Sequence, residues 1–245
     1  GVAFWDARTF LPTGRRLPHG TVVVYSADGA RIATASTFDH QVRLWDGRTL
    51  APVGESTSMP TGDIVPEFSA DGRRLGVRCT GQKVVVLDAT SGRVVLDLGS
   101  VADPMVTFSQ RGGLMFLGGV SIGGIYEVAS GRKLRDTGGV EEVAFSPDGR
   151  MLALVHEGGV DIEEARSGKR TSPHMHHGGQ LSIVEFSSDG KRLLTAGSDG
   201  VAILWDTATG HGVTPSMRHG GWVIWAGFSP QGNRIATAGR DGLLR

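Results

Sequence analysis

The residues best suited to chemistry in this chain form one short histidine-rich stretch. Three histidines lie within four residues, at His174, His176 and His177. Imidazole nitrogens are common ligands of transition metals, so this stretch is a candidate metal site. Adjacent side chains of an extended segment point apart, however, and no cysteine or pair of carboxylates accompanies the histidines. We therefore expect no metal and no cofactor here.

Other chemistry is weakly supported. The sequence has no Gly-x-Ser-x-Gly elbow for a nucleophilic serine, and the single cysteine, Cys79, fits an apolar filler at a strand end. The glycine pairs at 118–119 and 123–124 open no helix, so they predict turns and not phosphate loops. Lys plus Arg and Asp plus Glu both number 25, and basic clusters never exceed pairs, which argues against a nucleic-acid partner. No apolar run is long enough to span a membrane.

An internal repeat explains many of the remaining polar residues and many of the 38 glycines. One marker occurs as YSADG, FSADG, FSQRG, FSPDG, FSSDG and FSPQG, starting at Tyr25, Phe68, Phe108, Phe145, Phe186 and Phe228. A second marker, Trp-Asp or its replacement, keeps step at Trp5, Trp45, Leu87, Tyr126, Glu163 and Trp205. Two markers that drift together indicate a tandem array of units of about 41 residues.

Each unit predicts four short antiparallel strands. Ser-x-Asp-Gly suits a tight hairpin, because glycine reaches positive φ without a steric penalty. Short apolar runs flank the turns, and no window of 12 residues has a convincing helical period. The sequence therefore predicts an all-β protein made of propeller-like blades, in which Asp28, Asp71, Asp148 and Asp189 serve the turns.

The segment 197–206, with Gly-Ser-Asp-Gly at its start and Trp-Asp at its end, follows an FSSDG turn and an earlier His-Gly pair. This combination resembles the WD-repeat β-propeller family, and the resemblance covers essentially the whole chain. It implies buried hydrogen-bonded sets that join a histidine, a Ser or Thr, an aspartate and a tryptophan. The implied sets are His177, Thr195, Asp199 and Trp205; His219, Thr237 and Asp241; and His19, Thr34, Asp39 and Trp45. The units with Leu87, Tyr126 and Glu163 at the tryptophan position lack the histidine. We therefore expect these units to be less stabilised by buried side-chain hydrogen bonds.

The repeat also predicts how the chain is organised. We expect one β-propeller domain over 1–245, with half blades at 1–20 and 222–245. Five whole four-stranded blades fall at 21–62, 63–102, 103–139, 140–179 and 180–221. Half blades at both ends favour a piece of a larger protein with seven blades, or a ring of six if the ends close. The repeat style resembles bacterial arrays attached to signalling proteins such as serine/threonine kinases.

Residues that do not recur are the better candidates for function. The resemblance places the histidine and aspartate loops on one face around a central channel. On that face the candidate partner-binding residues are Trp222, Arg218, His174, His176, Arg240, Phe38 and His40. Trp222 is the strongest, because tryptophan and arginine are enriched at interface hot spots; packing of Trp222 on a neighbouring blade is the alternative.

The sequence therefore predicts a non-catalytic scaffold that binds a protein or peptide. We expect a monomeric domain in the cytoplasm, with a membrane-anchored parent as an open alternative. The competing hypothesis is a propeller hydrolase or lyase with acids and a histidine at the channel mouth. Its candidate residues are Asp63, Asp103, Glu141, Glu142 and His174.

Overall fold

The computed structural model describes residues 1–18, 20–80, 83–111, 113–156 and 158–245. Across these residues the chain has 24 β-strands and no helix. It forms two compact units, Gly1–Phe108 and Ser109–Arg245. The predicted boundaries of the domain and of its blades stay a prediction.

The first unit contains a two-stranded sheet and two four-stranded sheets, all antiparallel. The two-stranded sheet is β1 (Val2–Trp5) and β2 (Pro12–Leu17). The next sheet is β3 (Val22–Tyr25), β4 (Arg31–Ser36), β5 (Gln41–Asp46) and β6 (Pro52–Ser58). The third is β7 (Ile64–Phe68), β8 (Arg74–Cys79), β9 (Lys83–Asp88) and β10 (Val94–Ser100). Strand β11 (Met105–Phe108) ends the unit.

The second unit continues the same pattern of sequential antiparallel pairing. Its first three strands are β12 (Leu114–Gly118), β13 (Gly123–Glu127) and β14 (Lys133–Asp136). A four-stranded sheet follows, with β15 (Glu142–Phe145), β16 (Met151–His156), β17 (Gly159–Glu164) and β18 (Met175–His176). The next sheet has β19 (Leu181–Phe186), β20 (Arg192–Gly197), β21 (Val201–Asp206) and β22 (Met217–Arg218). Strands β23 (Val223–Phe228) and β24 (Ile235–Gly239) form a final pair. The predicted all-β class, built from four-stranded antiparallel meanders, is confirmed.

The Ser-x-Asp-Gly turns connect the first two strands of a sheet through a repeated set of hydrogen bonds. After β19, Ser187 Oγ donates to Asp189 Oδ1 over 2.7 Å and accepts from the backbone N–H of Arg192 over 2.9 Å. Gly190 closes the turn at φ 70°, where a side chain would be strained. The bonds from Ser187 and from the Lys191 N–H hold the pKa of Asp189 below its ordinary value. The aspartate therefore serves the turn as a fixed anion.

The core lies between neighbouring sheets. In the first unit, one cluster joins residues of β4 and β5, such as Ala33 and Leu44, to residues of β7 to β9, such as Leu75 and Val85. At Gly76 the adjacent strand comes so close that a Cβ would lie 2.4 Å from Cγ2 of Val106. Sheets stacked this closely leave only strand ends and outer strands for binding.

Glu163 occupies the tryptophan position of its sheet. It pairs across the sheet with Leu152, as Trp205 pairs with Leu193. Its carboxylate meets Arg135 from β14, with Oε2 3.0 Å from the guanidinium. A mostly buried ion pair therefore stands where an indole stands elsewhere.

Candidate protein-interaction site

The β19–β22 sheet contains a buried hydrogen-bonded chain of four side chains. Thr195, which is fully buried, accepts from Trp205 Nε1 over 2.8 Å, and its hydroxyl lies 2.8 Å from His177 Nδ1. His177 Nε2 faces the Val201 carbonyl at 3.2 Å and Asp199 Oδ1 at 3.5 Å. The Val201 carbonyl can only accept, so the imidazole proton is assigned to Nε2, and the Thr195 hydroxyl then donates to Nδ1. Burial lowers the pKa of His177 and opposes the pull of Asp199, which keeps the ring neutral.

A second set joins a histidine, a threonine and an aspartate, and its imidazole ring has the opposite orientation. His219 Nε2 faces Thr237 Oγ1 at 2.9 Å, and His219 Nδ1 faces Asp241 Oδ1 at 3.0 Å. The Gly220 N–H donates to Asp241 Oδ2 over 2.9 Å. This backbone bond, together with His219, holds the pKa of Asp241 well below its ordinary value. Asp241 therefore fixes both the ring and the turn that leads to Trp222.

The third set is described only in part. Trp45 Nε1 donates to Thr34 Oγ1 over 2.9 Å, while His19 lies outside the described residues. Asp39 accepts from the Arg43 guanidinium at 3.2 Å. The contribution of all three sets to stability stays a prediction.

Trp222 lies at the entrance to β23 and is 52% exposed. The guanidinium carbon of Arg240 sits 4.4 Å from the centroid of its ring, and the Arg240 N–H donates to the Trp222 carbonyl over 2.8 Å. Arg218, at the end of β22, is exposed four residues earlier. We call Arg218, Trp222 and Arg240 the Trp222 surface. It combines a large apolar ring with two cationic groups.

His174 and His176 lie at a different place, on the outer strand β18 and just before it. Their rings meet edge to face with centroids 4.4 Å apart. His174 Nδ1 is 2.8 Å from Asp161 Oδ1, and Arg170 donates to Asp161 Oδ2 over 2.6 Å. Sequence reasoning missed Asp161, which is buried on β17; an aspartate between two apolar residues, Val160 and Ile162, was the available clue. In the part of the chain that the structure describes, no group of three or more His, Cys, Asp or Glu could hold a metal ion.

Phe38 and His40 belong to the first unit, in the turn between β4 and β5. Phe38 is 87% exposed, and His40 adopts φ 55°. The His40 Nδ1 atom is buried with no hydrogen-bond partner, and the His40 carbonyl accepts from the Met59 N–H over 2.8 Å.

The residues of the enzyme hypothesis are distributed over both units. Asp63 and Asp103 lie in the first unit, and Glu141, Glu142 and His174 lie in the second. The carboxylate that His174 meets is Asp161, which was not among the candidate acids. Glu142 Oε1 instead accepts from the Val143 N–H.

Comparison with known proteins identifies the class of fold. The computationally designed Ika8 protein, known from a crystal structure, matches 98% of this chain and 75% of its own with a TM-score of 0.74 at 15% identity. Together with the meandering four-stranded sheets, this likeness shows a β-propeller fold.

Sequence comparison then gives the family. The model of the WD domain, G-beta repeat, matches residues 18–46 and 169–206. Telomerase protein component 1 of Rattus norvegicus is 29% identical over 69% of this chain. An uncharacterized WD repeat-containing protein of Synechocystis sp. is 32% identical over 27% of it. The two matched segments and the WD-repeat relative support a WD-repeat family for this chain.

The chain spans only 7% and 20% of the lengths of those two relatives. WD repeats generally mediate protein–protein interaction, and proteins built from them are typically non-enzymatic scaffolds. Among the residues described, no helix is long and apolar enough to cross a membrane.

Proposed function

We propose that this chain is a non-catalytic platform that binds a protein or peptide partner through the Trp222 surface. The observation that carries the proposal is the half-exposed indole of Trp222 with the Arg240 guanidinium 4.4 Å from its ring centroid. An aromatic ring that is already held in place loses little conformational entropy when a partner covers it. Tryptophan and arginine are also the residues most enriched at interface hot spots.

The charges around Trp222 support an acidic partner. Arg218 and Arg240 are both exposed. The nearby Asp241 is engaged by His219 and by the Gly220 N–H, which leaves the arginines as the available charged groups. A partner that places an acidic side chain beside an apolar one complements this surface.

We also propose that the chain is the sensor or partner-recruiting part of a larger bacterial signalling protein. Two facts support this: the relatives are far longer than the chain, and one of them comes from Synechocystis. The predicted location in the cytoplasm and the monomeric state stay predictions.

A capture experiment with matched tryptophan variants tests the Trp222 surface. Immobilised wild-type chain retains partner proteins from a lysate of cells that contain the parent protein, and Trp222→Ala loses them. Trp5→Ala is the control, because Trp5 is 64% exposed but lies in the first unit. For an isolated partner, we expect Trp222→Ala to raise the Kd at least about tenfold. Equal capture by wild type and a folded Trp222→Ala would refute the proposal.

A further inference from the structure

A second candidate binding site lies at the opposite end of β19 and β23 from Trp222. There the second unit forms a half-open cavity of about 590 Å³, within the ~300–1,000 Å³ usual for ligand pockets. The Ser-x-Asp-Gly turns that follow β15 and β19 form its rim. Trp222 precedes the six-residue strand β23 and Phe228 ends it, so about 20 Å separates the two places.

The floor of the cavity is apolar. Phe186 is buried, and Phe228 and Met151 are half-buried beside it. These side chains offer a surface against which a chain of methylene groups can pack.

The rim of the cavity carries fixed negative charge. Asp148 and Asp189 each accept from the serine and a backbone N–H of their own turn, and these bonds hold both pKa values below the ordinary one. Both carboxylates are therefore ionised at neutral pH. Among the described residues that line the cavity, Arg111 is the one basic residue beside three acidic ones, and Arg150 lies 3.8 Å from Asp148 just outside it.

Glu185 reaches the cavity without a cationic partner. Burial raises the pKa of its carboxyl, and only the Phe228 N–H opposes that effect. Glu67 occupies the same repeat position in the first unit, where desolvation also raises the pKa of its carboxyl, but there the positive charge of Arg78 opposes the shift. No basic group of the described residues does this for Glu185. A positive charge bound in the cavity would stabilise the ionised Glu185 carboxylate, as Arg78 stabilises that of Glu67.

We propose that this cavity binds a basic peptide segment and admits one lysine or arginine side chain. The aliphatic part of that side chain packs on Phe186, Phe228 and Met151. Its cationic head meets Glu185, with Asp148 and Asp189 at the rim. The site is separate from the Trp222 surface and does not depend on the function proposed there.

The test uses the whole chain labelled with ¹³C at the methionine methyl groups. The probes are pentapeptides of the form acetyl-Gly-Gly-X-Gly-Gly-amide, with X as arginine, lysine, norleucine or glutamate. The arginine or the lysine peptide shifts the Met151 methyl resonance with saturation, while Met217, on β22, stays unshifted. We expect the norleucine and glutamate peptides to bind at least about tenfold more weakly.

Two substitutions at one repeat position sharpen the test. Glu185→Gln weakens the basic peptide about tenfold, and Glu67→Gln, in the sheet where Arg78 already serves the glutamate, changes nothing. Trp222→Ala also leaves this binding unchanged, which separates the two proposals. The proposal is overturned if the Met151 methyl resonance does not shift at peptide concentrations up to about 10 mM. It is also overturned if the norleucine peptide binds as tightly as the basic peptides, or if Glu185→Gln binds the basic peptide as tightly as the wild type. The comparison of lysine with norleucine on the wild type decides the question even if Glu185→Gln fails to fold.

Discussion

Replacing Thr195 by valine is the sharpest test of the buried hydrogen-bonded set in the β19–β22 sheet. The substitution keeps the shape and removes the one hydroxyl that Trp205 Nε1 and His177 Nδ1 both reach at 2.8 Å. Leaving one buried polar group without a partner costs about 1–3 kcal/mol. Two such groups are orphaned here, so we expect a loss of about 2–6 kcal/mol in the free energy of unfolding.

Thr237→Val provides the matched control. Thr237 is equally buried but meets only His219, at 2.9 Å. His219 keeps Asp241 as a second partner, so the expected loss is about 1–2 kcal/mol. Urea unfolding, followed by tryptophan fluorescence, measures the free energy of unfolding of both variants. The dependence of this free energy on urea concentration is compared between variants, because a chain of two compact units can unfold in more than one step. A Thr195→Val loss no larger than that of Thr237→Val would refute the two-partner argument.

Three further perturbations test other parts of the structure. Burial lowers the pKa of His177 below its ordinary value of 6.5. The neutral ring therefore contributes fully to stability above about pH 6.5, and its contribution falls as the pH drops. The stability difference between wild type and His177→Gln, measured by urea unfolding, should shrink between about pH 7.5 and 5. Arg135→Met leaves the Glu163 carboxylate mostly buried and unpaired and should cost about 3 kcal/mol, while the double variant Arg135→Met, Glu163→Leu should recover most of it in the same assay. Gly76→Ala places a Cβ against Val106 and should lower the free energy of unfolding by about 1–3 kcal/mol, and an unchanged melting curve would contradict the close stacking of these sheets.

The sequence was sufficient to predict the strands because the features that define them are local. A Ser-x-Asp-Gly turn needs only its own side chains and one glycine at positive φ, as Gly190 shows. The structure adds the register across each sheet, in which Glu163 lies opposite Leu152. A motif that folds by contacts within five residues can be recognised without knowledge of the rest of the chain.

The partners of charged residues could not be predicted in the same way. His174 was singled out because it does not recur, but its carboxylate, Asp161, comes from another strand and depends on how β17 pairs with β18. Arg135, which meets Glu163, comes from a neighbouring sheet. The orientation of the His219 ring is opposite to that of His177, with Nδ1 facing Asp241 instead of the threonine hydroxyl.

The glutamates of the first strand show where recurrence misleads as a guide to function. Glu67 and Glu185 hold the same repeat position, each one residue before the phenylalanine of its marker, so recurrence alone assigns both to the scaffold. Their surroundings differ, because Arg78 lies near Glu67 while a cavity of about 590 Å³ lies beside Glu185. Partial burial of the Glu185 carboxyl disfavours its charged form, and a nearby cation would offset that effect. A recurring residue can therefore acquire a binding role in one sheet only, and the charge environment, not the residue type, distinguishes the two cases.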